Sequence, residues 1–143
     1  MQPAIHAITL GVADLDRALA FYRDGLGLQT EGIVGTEFAG SDTEPAGAVA
    51  MFTLAGGLVL SLYPATELAK DAGDSTARTA GAVSLGHFVD RREKVDELLD
   101  RAARGGGTAL GTHERPWGIY AGYFADPDGH RWEVVHFLAG SPG

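Results

Sequence analysis

The chain contains no cysteine. Disulfides, thiolate metal sites and cysteine nucleophiles are therefore excluded, and the absence fits a cytoplasmic protein. No stretch approaches the roughly 18 apolar residues that a membrane span requires. Met1-Gln2-Pro3-Ala4 carries no basic region leading into an apolar core, so no signal peptide is expected. Positive charge is also scarce: 11 Lys and Arg stand against 19 Asp and Glu, a net charge of −8. That balance argues against a nucleic-acid or anionic-membrane partner and would suit a cationic ligand. What is present is a globular composition, 45% hydrophobic and 21% charged over 143 residues, enough for one domain or two small halves sharing a core. Glycine is abundant, at 21 residues, which implies many tight turns and short strands.

The organising stretch is Asp126-Pro127-Asp128-Gly129. Pro127 pre-sets φ, the Asp side chains can bond nearby backbone, and Gly129 allows a positive φ, so this is a turn. Strand-like runs flank it, residues 118–124 and 131–137, and together they read as a β-hairpin. In the second run Glu133, Val135 and Phe137 share one face, and Trp132, Val134 and His136 share the other. A carboxylate pointing into a concavity is costly to bury without a partner or a task, so Glu133 is the first candidate functional residue.

In chain order, residues 4–12 read as a strand with Ile8, Leu10 and Val12 on one face. Asp14 caps a helix whose stripe is Leu15, Ala18, Leu19 and Tyr22, and Gly25 and Gly27 end it. Residues 29–38 read as a strand with an irregular edge, 41–47 as a polar loop, and 48–54 with 58–63 as a hairpin. Residues 64–80 read as a linker with at most one helical turn. The pattern then restarts: a strand over 82–89, a helix over 91–104 with Val95, Leu98, Leu99 and Ala102 on its stripe, a short strand over 108–111, a loop over 113–117, and the final hairpin. The order is βαβββ twice, with residues 1–76 forming the first module with its linker, 77–143 the second, and both one compact domain. The fold class expected is α+β, with two βαβββ modules pairing into a curved sheet that encloses a groove.

The segments ITLGVADLDRALAFYRDGLGL and DPDGHRWEVV, in this order of elements, resemble the vicinal oxygen chelate superfamily, which includes glyoxalase I, bleomycin-resistance proteins and extradiol dioxygenases. The resemblance covers residues 4–138 or so. It implies the fold strongly and the function weakly, because this fold hosts isomerases, dioxygenases, lyases and drug-binding proteins. In the metal-dependent members a divalent ion is held by inward side chains on the first and last strands of each module. Those positions fall here on Ala7, Ser61, Ser84 and Glu133. Ala7 cannot ligate, and Ser61 and Ser84 are poor ligands for Zn, Ni or Fe, so no metal and no other cofactor is expected.

The histidines do not repair the set. His6 and His87 have the wrong parity relative to Ala7 and Ser84 and read as structural. His130 beside the turn reads as solvent-exposed, His113 as a loop residue bordering the groove, and His136 as facing away from it. Glu133 has three readings: a vestigial ligand position hydrogen-bonding Ser61 or Ser84, a contact for a ligand's amine or hydroxyl, or a general base. Trp117, Tyr120, Tyr123 and Trp132 cluster within sixteen positions. Trp132 reads as core, whereas Trp117 follows Pro116 and can overhang the groove.

The leading expectation is a bleomycin-resistance-type protein that binds a small hydrophobic or aromatic molecule without metal, and so a binding protein rather than an enzyme. Its ligand-binding residues would be Glu133, Trp117, Ser61, Ser84, Tyr63 and Tyr123. The alternatives are a metal-dependent glyoxalase, lyase or dioxygenase with an atypical ligand set, and a metal-free enzyme in which Glu133 is the catalytic acid or base. The partners expected are a small-molecule ligand and a second copy of the chain in a homodimer.

Overall fold

The structure, a computed structural model, describes residues 1–138. Strict alternation makes strand β1 (Ala7–Val12), which turns Ile8, Leu10 and Val12 into the core and leaves Ala7 and Thr9 exposed. Asp14 then starts α1 (Leu15–Ala20), its Oδ1 accepting a bond from the Arg17 N–H at 3.1 Å. The helix widens into a π-helical turn over Phe21–Gly25. The remaining elements are β2 (Ile33–Val34), β3 (Val49–Thr53), β4 (Val59–Pro64), α2 (Ala65–Ala72), β5 (Ser84–Phe88), α3 (Arg92–Arg104), β6 (Thr108–Arg115), β7 (Ile119–Ala125) and β8 (Arg131–Phe137).

The strands form two four-stranded sheets, β1-β4-β3-β2 and β5-β8-β7-β6. In each, the first and last strands of a module run side by side in parallel and the other pairs are antiparallel. The α+β class and its two βαβββ modules are thus as the sequence implies. Both modules bury one sheet face in the same core. Tyr22 and Phe21 are consecutive yet both fully buried, because α1 lies between the modules. Tyr22 packs on Phe52 of the first sheet and Trp132 of the second, with ring centroids 6.0 and 6.2 Å away, and Phe21 packs on Phe124 at 6.2 Å. Where the two helices end, Gly25 and Gly105 touch backbone to backbone: a Cβ on Gly105 would stand 2.8 Å from the Gly25 Cα.

The Asp126–Gly129 turn does more than close the last hairpin. Asp126, whose side chain is fully buried, accepts bonds from the Tyr22 hydroxyl at 2.7 Å and from the backbone N–H of Asp128 and His130. Asp128 reaches back to the first module and accepts from the Ala13 N–H at 2.8 Å and from Arg17 at 3.1 Å. Trp132 Nε1 donates to the Tyr22 oxygen at 3.1 Å. This turn therefore pins the start of α1, and the π-helical turn that follows it, to the second module. His130 is not the exposed side chain expected: its Nδ1 lies 2.7 Å from Asp126 Oδ2, and only 11% of the side chain is accessible.

Three other expectations are corrected. Residues 65–72 are helical, not a linker, because Ala65, Leu68, Ala69 and Ala72 keep helical spacing although most are small. The strand expected over 29–38 shrinks to two paired residues, flanked by Gly32 and Gly35 at positive φ. The strand expected to stop at Gly111 continues to Arg115: Gly111, at φ 91°, marks a register shift between Ala109 and Thr112, after which pairing with β7 resumes. His113 is therefore a strand residue.

Candidate functional site

The face of the second sheet away from the helices carries the candidate site. Side-chain alternation and register together assign its residues. On β8, Arg131, Glu133, Val135 and Phe137 point to this face. Glu133 is flanked by Gly86 on β5 and Tyr123 on β7. On β6, His113 opposes Ala121 and Arg115 opposes Ile119, so both point the same way. Ile119, Ala121 and Val135 form a small apolar cluster with Phe137, separate from the main core. Phe137 meets Phe88 edge to face at 5.0 Å, and His113 stacks on Tyr123 at 6.1 Å. Trp117 sits at the tip of the β6–β7 turn, where Gly118 N–H donates to the Arg115 carbonyl at 3.0 Å, and 63% of it is exposed.

These side chains surround an open cavity of about 420 Å³ with an apolar floor of Ile119, Val135 and Phe137, aromatic walls, and three polar groups, Glu133, Arg115 and His113. The size suits a small organic ligand. The Glu133 carboxylate accepts no hydrogen bond and has no ion-pair partner among the described residues. It does not bond Ser61 or Ser84. Beside it Gly86 leaves the floor bare, since a Cβ there would meet only Phe88 Cε1, at 3.8 Å.

Of the residues expected to bind ligand, Glu133, Trp117 and Tyr123 gather around this one cavity. Ser84 lies on the same face one step along β5, opposite Arg131, and lines a neighbouring cavity with Tyr123. Ser61 and Tyr63 do not join them. They belong to the first sheet, whose bare face has its own cavity lined by first-module residues such as Glu31, Val34, Met51 and Val59. Ser61 is buried between Thr9 and Met51, and the Tyr63 hydroxyl donates to the Ala46 carbonyl. His6 precedes β1 and His87 lies on the opposite face of β5 from Glu133; both are exposed. Tyr120 and Trp132 face the helices. The Tyr120 hydroxyl donates to Asp96 at 2.6 Å. Arg115, Phe88 and Phe137 were not anticipated as site residues. The alternation of β6 read through the bulge would have identified Arg115, and that of β8 Phe137.

The residues present do not fit a transition metal. The four positions implied by the family resemblance supply one carboxylate, two hydroxyls and a methyl, against the three imidazole or carboxylate ligands such a site needs. Among the described residues no three His, Asp or Glu side chains converge. Arg115 and Arg131 share the face of Glu133, so its single carboxylate would not offset a divalent ion held beside them. Likewise, no helix among the described residues is long and apolar enough to cross a membrane.

Known structures agree with this architecture. A glyoxalase-related enzyme from Fulvimarina pelagi is 29% identical, with 95% of this chain and 88% of that chain covered and a TM-score of 0.76. A lactoylglutathione lyase from Agrobacterium tumefaciens is 28% identical, with 95% of each chain covered and a TM-score of 0.67. A glyoxalase/bleomycin resistance protein/dioxygenase from Nocardioides, 22% identical with all of this chain and 89% of that chain covered at a TM-score of 0.73, shares the fold. Comparison with curated proteins gives no match. The sequence model of the Glyoxalase/Bleomycin resistance protein/Dioxygenase superfamily matches residues 4–134, nearly the whole described chain, and the chain belongs to that superfamily.

Proposed function

We propose that this chain is a small-molecule binding protein that holds a flat, largely apolar ligand against the bare face of its second sheet, without a transition metal. The observation that carries the reading is the cavity that brings Trp117, Tyr123, Phe88 and Phe137 around the lone carboxylate of Glu133. Rigid aromatic walls provide contact area at little entropic cost, and one or two polar groups fix orientation. Elemental analysis of the purified protein tests the metal-free part, with less than a tenth of an equivalent of Zn, Ni, Fe or Mn as a rough expectation from a set of one good ligand in four. About one equivalent, lost in Glu133→Ala, overturns it. Such a result would favour the second reading, a metal-dependent lyase, to which the likeness to the Agrobacterium lactoylglutathione lyase lends support.

A homodimer is part of the proposal. Met51 on the bare face of one sheet, Phe88 on that of the other, and Trp117 at its rim are all exposed, and a second copy would cover them and deepen the groove. Light scattering at micromolar concentration gives a dimer mass if this is right and a monomer mass if it is wrong.

A further inference from the structure

We propose that the groove selects amphoteric aromatic ligands: molecules whose planar apolar body carries a carboxylate at one end, bound by Arg115, and a cationic or donor group at the other, bound by Glu133. This inference rests on the groove reading above and goes further in assigning the ligand's charge pattern and its two ends.

The net charge of −8 by itself points to a cationic ligand, but the groove does not share that balance. The charged residues lining it are Arg115 and Glu133, one of each sign, with His113 between them along the sheet, while Arg131 on the same face lines the neighbouring cavity. Neither the Arg115 guanidinium nor the Glu133 carboxylate has a hydrogen-bond or ion-pair partner among the described residues, and they do not pair with each other. The register explains why. Glu133 opposes Tyr123, whereas Arg115 opposes Ile119, four residues earlier on β7. At about 3.4 Å per residue the two positions are roughly 14 Å apart along the strands, and β7 lies between their strands, so the side chains are too far apart to meet without leaving the surface. Between them lie the Tyr123–His113 stack and the apolar Ile119, Ala121 and Val135.

Two opposite charges held apart over an aromatic floor match a ligand of the inverse pattern. Arg115 offers a planar fork that binds a carboxylate through two parallel bonds, a geometry a point charge cannot reproduce. Glu133 can only accept while ionised, so its end of the ligand must donate. Gly86 leaves the space for that donor beside Glu133. Trp117 at the Arg115 end covers the carboxylate-bearing ring and lowers the local dielectric, which strengthens the contact with Arg115.

The test is calorimetric titration with four probes that share one body: 4'-(aminomethyl)biphenyl-4-carboxylate, biphenyl-4-carboxylate, 4-(aminomethyl)biphenyl and 4-methylbiphenyl. The amphoteric probe should bind about tenfold more tightly than either singly charged probe, the worth of one additional charge-assisted contact. Arg115→Gln should erase its advantage over the amine, and Glu133→Gln its advantage over the carboxylate, with circular dichroism unchanged in both variants. Equal affinity for the amphoteric probe and either singly charged one overturns the charge assignment. If the neutral probe still binds and loses affinity in Trp117→Ala, the groove reading survives that failure. If no probe binds, both fall together.

Discussion

The two tryptophans show how far identical residues diverge with environment. Trp132 stacks on Phe124 at 6.1 Å, with the ring planes 2° apart, and its N–H is satisfied by Tyr22. Trp132→Ala should destabilise the protein by about 3–5 kcal/mol, the usual cost of emptying a large aromatic site. Trp117 projects from a turn, and Trp117→Ala should leave the melting temperature within a degree or two on the order expected of surface changes while abolishing fluorescence quenching by a bound aromatic probe. A large loss of stability in the second variant would show that Trp117 is packed and not poised over the groove. Asp126 makes a different kind of prediction. Burial alone would raise its pKa, but bonds from His130 and Tyr22 outweigh that and hold it below the ordinary carboxylate value. A depressed folded pKa contributes stability that is present above the unfolded value of about 4 and is lost as pH falls through the folded value. Asp126→Asn should therefore flatten the acid limb of a stability-versus-pH curve below about pH 4, as well as lowering stability at neutral pH. An unchanged acid limb, measured by denaturant titration from neutral to pH 2.5 or so, would refute the role given to Asp126. Burial, reinforced by the same carboxylate, raises the Tyr22 pKa, so Tyr22 stays a protonated donor throughout this range.

Among the elements, those with a strong period were legible and those with a weak one were not. Alternation in β1 and β8 gave the correct face for every residue, and the stripes of α1 and α3 placed Leu19, Val95 and Leu99 in the core. Helix α2 escaped notice because small Ala residues fill most of its inward positions and carry little hydrophobic contrast. The end of β6 escaped because one glycine at positive φ broke the alternation that would have put His113 and Arg115 on the face of Glu133. The candidate site was thus half readable: the parity of Glu133 and the Pro-Trp-Gly turn could be seen, but not the charge opposite. Strand β5 offers the cleanest test of the whole face. Gly86 has no positive φ, and an added Cβ meets only Phe88, so Gly86→Val should fit the pleat and raise strand propensity. It also fills the floor beside Glu133. The expected outcome is an unchanged or slightly higher melting temperature with at least tenfold weaker binding of an aromatic probe, tenfold being about 1.4 kcal/mol. Retained affinity would place the ligand elsewhere.

At the scale of the molecule, the repeat in the sequence says that each module has one bare face, but not how the two faces are set. What sets them is the material between the modules. Residues from both modules, among them Leu10, Phe52, Leu62, Val95, Leu99 and Phe124, form one buried cluster with Tyr22 at its centre. A half-chain cut near residue 76 would expose that cluster on both sides, and a single sheet with one or two helices leaves too little buried area to be stable alone. The junction is also polar: Tyr22, Asp126, His130 and Trp132 form a connected network across it. Breaking one member strands the rest in a water-poor interior, where an unsatisfied group costs about 1–3 kcal/mol. Unfolding should therefore be a single cooperative event despite the two-fold repeat. Both tryptophans lie in the second module, so their fluorescence reports that half, whereas far-ultraviolet circular dichroism reports the helices and sheets of both. The two signals should trace one coincident denaturation curve in the parent chain. In Tyr22→Phe, which removes the hydroxyl from the network but keeps the ring, both should shift together to lower denaturant. A fluorescence transition that precedes or follows the dichroism transition would show that each module is stable by itself, and that α1 is a linker packed between two independent cores.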